Sequence, residues 1–107
     1  MTEDRIAKII TRAIDTYGYE AQLKVAIEKM SELTKAICKL WRADAKEKLK
    51  RLLEDVAEEA TDVQIMIYQL DAMLGADKVD AKIEKKLERL EARLDEKERE
   101  ERDNERE

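Results

Sequence analysis

The chain has 107 residues, 46% of them charged, a formal net charge of −5, and neither proline nor histidine. One domain is expected at that length, and histidine-ligated zinc and histidine acid–base chemistry are excluded. No apolar run approaches the ~20 residues of a membrane span, and no charged-then-apolar secretory leader is present.

Ala, Leu, Glu, Lys and Arg supply more than half of the residues, a mix that favours helix throughout. The acidity is concentrated in residues 95–107, where eight acids face four bases. The remainder is close to neutral and lacks the clustered basic footprint of a nucleic-acid-binding protein. Cys38 is the single cysteine, has no internal disulfide partner, and suits a reducing cytoplasm.

The first helix is expected from an N-cap at Thr2 to Thr16, with Ile6, Ile9, Ile10, Ala13, Ile14 and Tyr17 at helical spacing. Gly18 breaks it. A second helix follows from about Glu20 to Leu40, with Leu23, Ala26, Ile27, Met30, Leu33, Ile37, Leu40 and Trp41 as its apolar stripe. Asp44 is expected to cap the third helix, with Glu47 reaching back as in a capping box. Leu49, Leu52, Leu53, Val56, Ala60, Val63, Ile67, Leu70 and Leu74 form the third stripe, and Gly75 ends it. Ile65, Met66, Tyr68 and Met73 lie off that stripe, an excess of apolar surface that implies a partner chain, most simply an identical one. Cys38 reads as a small buried hydrophobe.

The fourth helix restarts at Asp77 and carries Val79, Ile83, Leu87, Leu90 and Leu94. No apolar residue follows Leu94, so residues 95–107 are expected to be a charged helical extension or disordered, and residues 1–94 the folded domain.

The acids of the third helix stand out. From Leu52 to Asp77 there are seven acids (Glu54, Asp55, Glu58, Glu59, Asp62, Asp71, Asp77) and no lysine or arginine. Like charges three or four residues apart cost roughly 0.2–0.5 kcal/mol per pair, and more beside a core face. A helical hairpin turning near residue 45 brings Glu28 and Glu32 level with Glu59 and Asp62, because both arms rise equally per residue. Two readings stand: a solvated acidic face, or oxygen ligands for a hard cation, Mg²⁺ before Ca²⁺.

Glu28-Lys29-Met30-Ser31-Glu32 and Glu59-Ala60-Thr61-Asp62 resemble the two acidic motifs of the MazG-like all-α nucleoside triphosphate pyrophosphohydrolases. Their surroundings are similar too: Gln22-Leu23, Leu33-Thr34-Lys35, Asp62-Val63-Gln64-Ile65-Met66, and the basic Lys86-Leu87-Glu88-Arg89-Leu90. The resemblance covers about residues 17–94. It implies an all-α, four-helix antiparallel fold in a homodimer or homotetramer. It also implies hydrolysis of a nucleoside triphosphate to the monophosphate and pyrophosphate. Mg²⁺, with Mn²⁺ as a substitute, is then held by Glu28, Glu32, Glu59 and Asp62, which are also the catalytic candidates. Lys29 departs from the motif, which has glutamate there. An ammonium cannot ligate Mg²⁺, which leaves two outcomes: Lys29 pairs with Glu59 or Asp62 and metal binding is impaired, the favoured expectation, or Glu28, one turn from Glu32, swings in as substitute ligand.

Lys35, Lys86 and Arg89 are candidates for phosphate contact, and Trp41 for stacking on a base. Each has a plainer reading, as a rung of a Glu–Lys ladder or as a core aromatic. The alternative for the whole chain is a non-catalytic helical bundle or coiled-coil scaffold, which the leucine spacing of the fourth helix supports.

Overall fold

The computed structural model describes residues 1–106. It contains four helices, α1 (Glu3–Tyr17), α2 (Tyr19–Trp41), α3 (Leu49–Leu74) and α4 (Ala76–Arg106), and no strand among the described residues. The all-α expectation therefore holds. Two compact units are present, Met1–Met73 and a second beginning at Leu74.

Thr2 caps α1 as its sequence suggests. Its hydroxyl accepts a hydrogen bond from the Arg5 amide at 3.1 Å, and Glu3 and Asp4 lie in the positive first turn. Gly18 ends α1 and begins α2 in a single residue. Its φ of 89° and ψ of 158° belong to a region open almost only to glycine. Its amide donates to the Ile14 carbonyl at 2.8 Å, and its own carbonyl accepts from the Gln22 amide at 3.2 Å. One residue thus satisfies both helix ends, and α1 folds back on α2 with Ile10 and Ile14 buried.

Asp44 behaves differently from the expectation. Its carboxylate accepts from the Lys46 amide at 2.8 Å and the Glu47 amide at 3.2 Å. Those bonds close a separate turn, and α3 starts five residues later, at Leu49. Asx chemistry favours isolated turns as readily as helix caps, which is why the capping-box pattern misled.

The faces that meet between α2 and α3 also differ from the apolar stripes. On α2 the inward residues are Gln22, Ala26 and Ala36, all buried, with Lys29 and Leu33 half-buried between them. Leu23, Ile27, Met30 and Ile37, expected in the core, are exposed. On α3 the inner line is Leu52, Val56, Glu59, Asp62, Val63, Met66, Gln69, Leu70 and Met73, of which Met66 and Gln69 are buried. Leu49, Leu53, Ala60 and Leu74 are exposed. Met66 is buried and Met73 half-buried, so neither adds to an off-stripe excess as Ile65 and Tyr68 do, which are exposed. Cys38 is exposed, correcting its reading as a buried hydrophobe.

α4 runs unbroken to Arg106, so residues 95–106 continue the helix; Glu107 lies outside the described residues. Among the described residues no helix is long and apolar enough to cross a membrane.

Candidate functional site: an acidic cluster with an internal ammonium

The connection between α2 and α3 spans residues 42–48 and centres on residue 45. Gln22 and Gln69, Lys29 and Asp62, and Glu32 and Glu59 are each equidistant from the midpoint of residues 45 and 46, half a residue from that centre. Equal rise along antiparallel helices sets such residues opposite one another, and the side chains meet accordingly. Gln22 Nε2 donates to Gln69 Oε1 at 2.6 Å, and Gln69 Nε2 lies 3.6 Å from Met66 Sδ. The two glutamines form a buried polar rung that fixes the hairpin register.

One carboxylate oxygen each from Glu32, Glu59 and Asp62 lies within 4.8 Å of the others. Lys29 stands among them. Its ammonium is 3.4 Å from Glu32 Oε2 and 3.9 Å from Asp62 Oδ2, and all three side chains are one-third to two-fifths exposed. The partnership with Asp62 is one of those the sequence suggests; the closer one with Glu32 is the addition. The Glu32 carboxylate, through its charge and a hydrogen bond, is the main cause holding the Lys29 ammonium above its ordinary pKa.

Glu59 is the least comfortable member. Its Oε2 is shut off from solvent and has no hydrogen-bond partner among the described residues. Desolvation is the leading cause raising its pKa above the usual glutamate value, followed by the negative charges of Glu32 and Asp62. Lys29 offsets only part of that rise.

The other candidates fall outside the cluster. Glu28 is exposed, does not belong to the three converging carboxylates, and touches the site only through its field at Lys29. Trp41, at the end of α2, is 88% exposed. Lys86 and Arg89 are exposed on α4. Lys35, by contrast, lines a cleft of about 180 Å³ beside the cluster, together with Glu32, Glu59, Lys39, Asp55 and Glu58. Lys39, one helical turn further along α2, shares that cleft. Asp55 and Glu58 add negative charge to it, a consequence of the acid-only run on α3.

Sequence reasoning missed the Gln22–Gln69 rung. The available signal was the i, i+4 placement of Gln22 before Ala26 and the position of Gln69 three residues after Met66.

No family model matches the chain, and neither a curated protein nor a solved structure proves similar to it.

Proposed function

We propose that the chain is a MazG-like nucleoside triphosphate pyrophosphohydrolase whose cation binding is attenuated by Lys29. The observation that carries this reading is the convergence of Glu32, Glu59 and Asp62 from two helices, with Glu59 Oε2 dry and unpartnered. Oxygen-only donors of this kind fit a hard divalent cation, Mg²⁺ or Mn²⁺. Glu32, Glu59 and Asp62 would hold it, with Glu28 the nearest substitute ligand on α2. A bound cation would supply charge neutralisation at phosphate oxygens.

The chain's own groups divide the remaining work. Lys35 and Lys39 face the cleft beside the acids and offer ammonium donors to phosphate oxygens. A carboxylate of the cluster left free by the cation accepts the proton of an attacking water. Trp41 remains a proposed contact to the base. The exposed Leu23, Ile27, Leu53 and Ile65 support association of identical chains, and the single cysteine suits the cytoplasm.

The experiment is pyrophosphate release from a panel of NTPs and dNTPs with Mg²⁺, comparing wild type with Lys29→Glu. Weak turnover in wild type and a gain in the variant are expected, with tighter Mg²⁺ binding by calorimetry. Silence from both proteins overturns the enzymatic reading, and unchanged Mg²⁺ affinity overturns the role given to Lys29.

A second reading draws on one observation, that Lys29 already lies within ion-pair distance of two of the three acids. A cluster already partly neutralised suits a non-catalytic helical scaffold. Such a scaffold would tolerate Glu59→Gln and Asp62→Asn, whereas the enzyme would lose turnover with either.

A further inference from the structure

Independently of the acidic cluster, α4 carries a second pattern. Ile83, Leu87, Leu90 and Leu94 are spaced four, three and four residues apart, and all are between 44% and 58% exposed. That spacing is the alternation of a and d positions in a heptad repeat. With Leu87 and Leu94 at a, and Ile83 and Leu90 at d, the flanking e positions are Glu84, Glu91 and Glu98. The flanking g positions are Lys86 and Arg93. Every residue named here is exposed along one uninterrupted helix, Ala76–Arg106.

The segregation of acids to e and bases to g selects both the occupant and its direction. In a parallel, in-register pair, each g residue meets the e residue five positions on in the other helix. Lys86 then faces Glu91 of a second copy, and Arg93 faces Glu98, so symmetry gives four attractive pairs. An antiparallel pair would instead set e against e and g against g, Glu84 opposite Glu91 and Lys86 opposite Arg93. Those contacts repel. Asp80 and Lys97, at the seam's polar ends, meet their own copies in the parallel arrangement and each other in the antiparallel one. They flank the apolar seam where water screens them, so the four internal pairs decide the direction.

We infer that α4 docks on α4 of a second copy of this chain as a parallel, in-register two-stranded coiled coil over Ile83–Leu94. Four apolar residues per helix make a short seam, so the dimer is weak and its formation depends on concentration.

The test is sedimentation equilibrium of the full chain across a concentration series at low salt, with two charge-swap variants. Glu91→Lys/Glu98→Lys makes all g–e contacts of the homodimer basic, and Lys86→Glu/Arg93→Glu makes them all acidic. Each variant alone is expected to associate roughly tenfold or more weakly than wild type. An equimolar mixture restores every pair and is expected to recover wild-type association, which also shows that both variants fold. In a Cys38→Ser background, Lys97→Cys is expected to cross-link to itself on oxidation, since identical d positions meet only in the parallel register. Several results overturn the inference: a wild type monomeric throughout, variants that associate unchanged, or a mixture that fails to recover. Tighter association of Glu91→Lys/Glu98→Lys overturns it too, as the antiparallel outcome.

Discussion

Gln22 Nε2 donates to Gln69 Oε1 at 2.6 Å across 47 positions of sequence, between side chains that are both buried. A short amide–amide bond in an apolar wall has asymmetric energetics. Made, it contributes modestly; broken on one side, it leaves a desolvated dipole unsatisfied. Gln22→Ala is therefore expected to cost about 1–3 kcal/mol in denaturant unfolding. Replacing both residues with leucine is expected to come close to neutral, because no polar group is then stranded. A double-mutant cycle reads the coupling directly, and additive single costs would remove the rung from the account of register.

The same register sets Lys29 between α2 and α3, and that placement yields a stability experiment separate from turnover. Lys29→Glu replaces the one ammonium paired within the cluster by another carboxylate. Without divalent cations the variant is expected to melt below wild type, since four acids then share the site. Added Mg²⁺ is expected to raise its melting temperature more than that of wild type, because binding to the folded state alone is stabilising. Equal Mg²⁺ responses in scanning calorimetry would contradict the ligand role of the cluster.

How much of this was legible beforehand depended on which signal carried it. Breakers were reliable: Gly18 and Gly75 end helices where the sequence puts them, since both need positive φ. The level of the two acidic motifs was also readable, because it follows from counting outward from a turn. The inner faces were legible only in part: Ala26 on α2 and Leu52, Val56, Val63 and Leu70 on α3 lie where the apolar stripes put them. α2 has apolar residues on two sides, and hydropathy weights Leu23, Ile27 and Ile37 above Gln22 and Ala36. The hairpin instead closes on the small and amide side chains, Ala26 and Ala36 being buried while the larger residues are exposed. Convergence of Glu32 with Glu59 and Asp62, and exclusion of Glu28, hinge on that rotation of the face. A residue-by-residue motif could not supply it.

Met66 gives the rotation a quantitative check. It is 5% exposed, whereas its neighbour Ile65 is 46% exposed. Truncating a buried methionine typically costs 2–5 kcal/mol through lost transfer energy and the cavity left behind. Met66→Ala is thus expected to lower the urea midpoint by an amount worth about 2–5 kcal/mol. Ile65→Ala is expected to cost well under half as much in the monomer. A reversed order would place the face of α3 that carries Ile65, and not the one that carries Met66, against α2.

Gly18 tests the corner between α1 and α2. An added Cβ would meet nothing within 4 Å, so any cost of Gly18→Ala comes from the backbone alone. With φ at 89° and ψ at 158° an alanine is strained, by about 1–3 kcal/mol. That loss is expected in thermal or chemical unfolding with helix content unchanged by circular dichroism. A neutral substitution would mean that the corner relaxes to a negative φ.

The pH dependence of stability isolates Glu59. Desolvation, then the charges of Glu32 and Asp62, raise its folded-state pKa, while Lys29 lowers it in part. A carboxyl that binds its proton more tightly when folded contributes a penalty above the folded pKa. As pH falls through that value toward the ordinary glutamate value, the folded state takes up the proton first, and the penalty is relieved. Below the ordinary value both states are protonated and no further gain follows. Wild type is therefore expected to lose stability from this group as pH rises through the window between the two values. Glu59→Gln, which cannot ionise, is expected to melt above wild type on the alkaline side and to lose that advantage in acid. Melting curves of both proteins across the acidic and neutral range, in metal-free buffer, measure the difference. A variant less stable than wild type at neutral pH would show that the Glu59 carboxylate is satisfied, not stranded, in the folded chain.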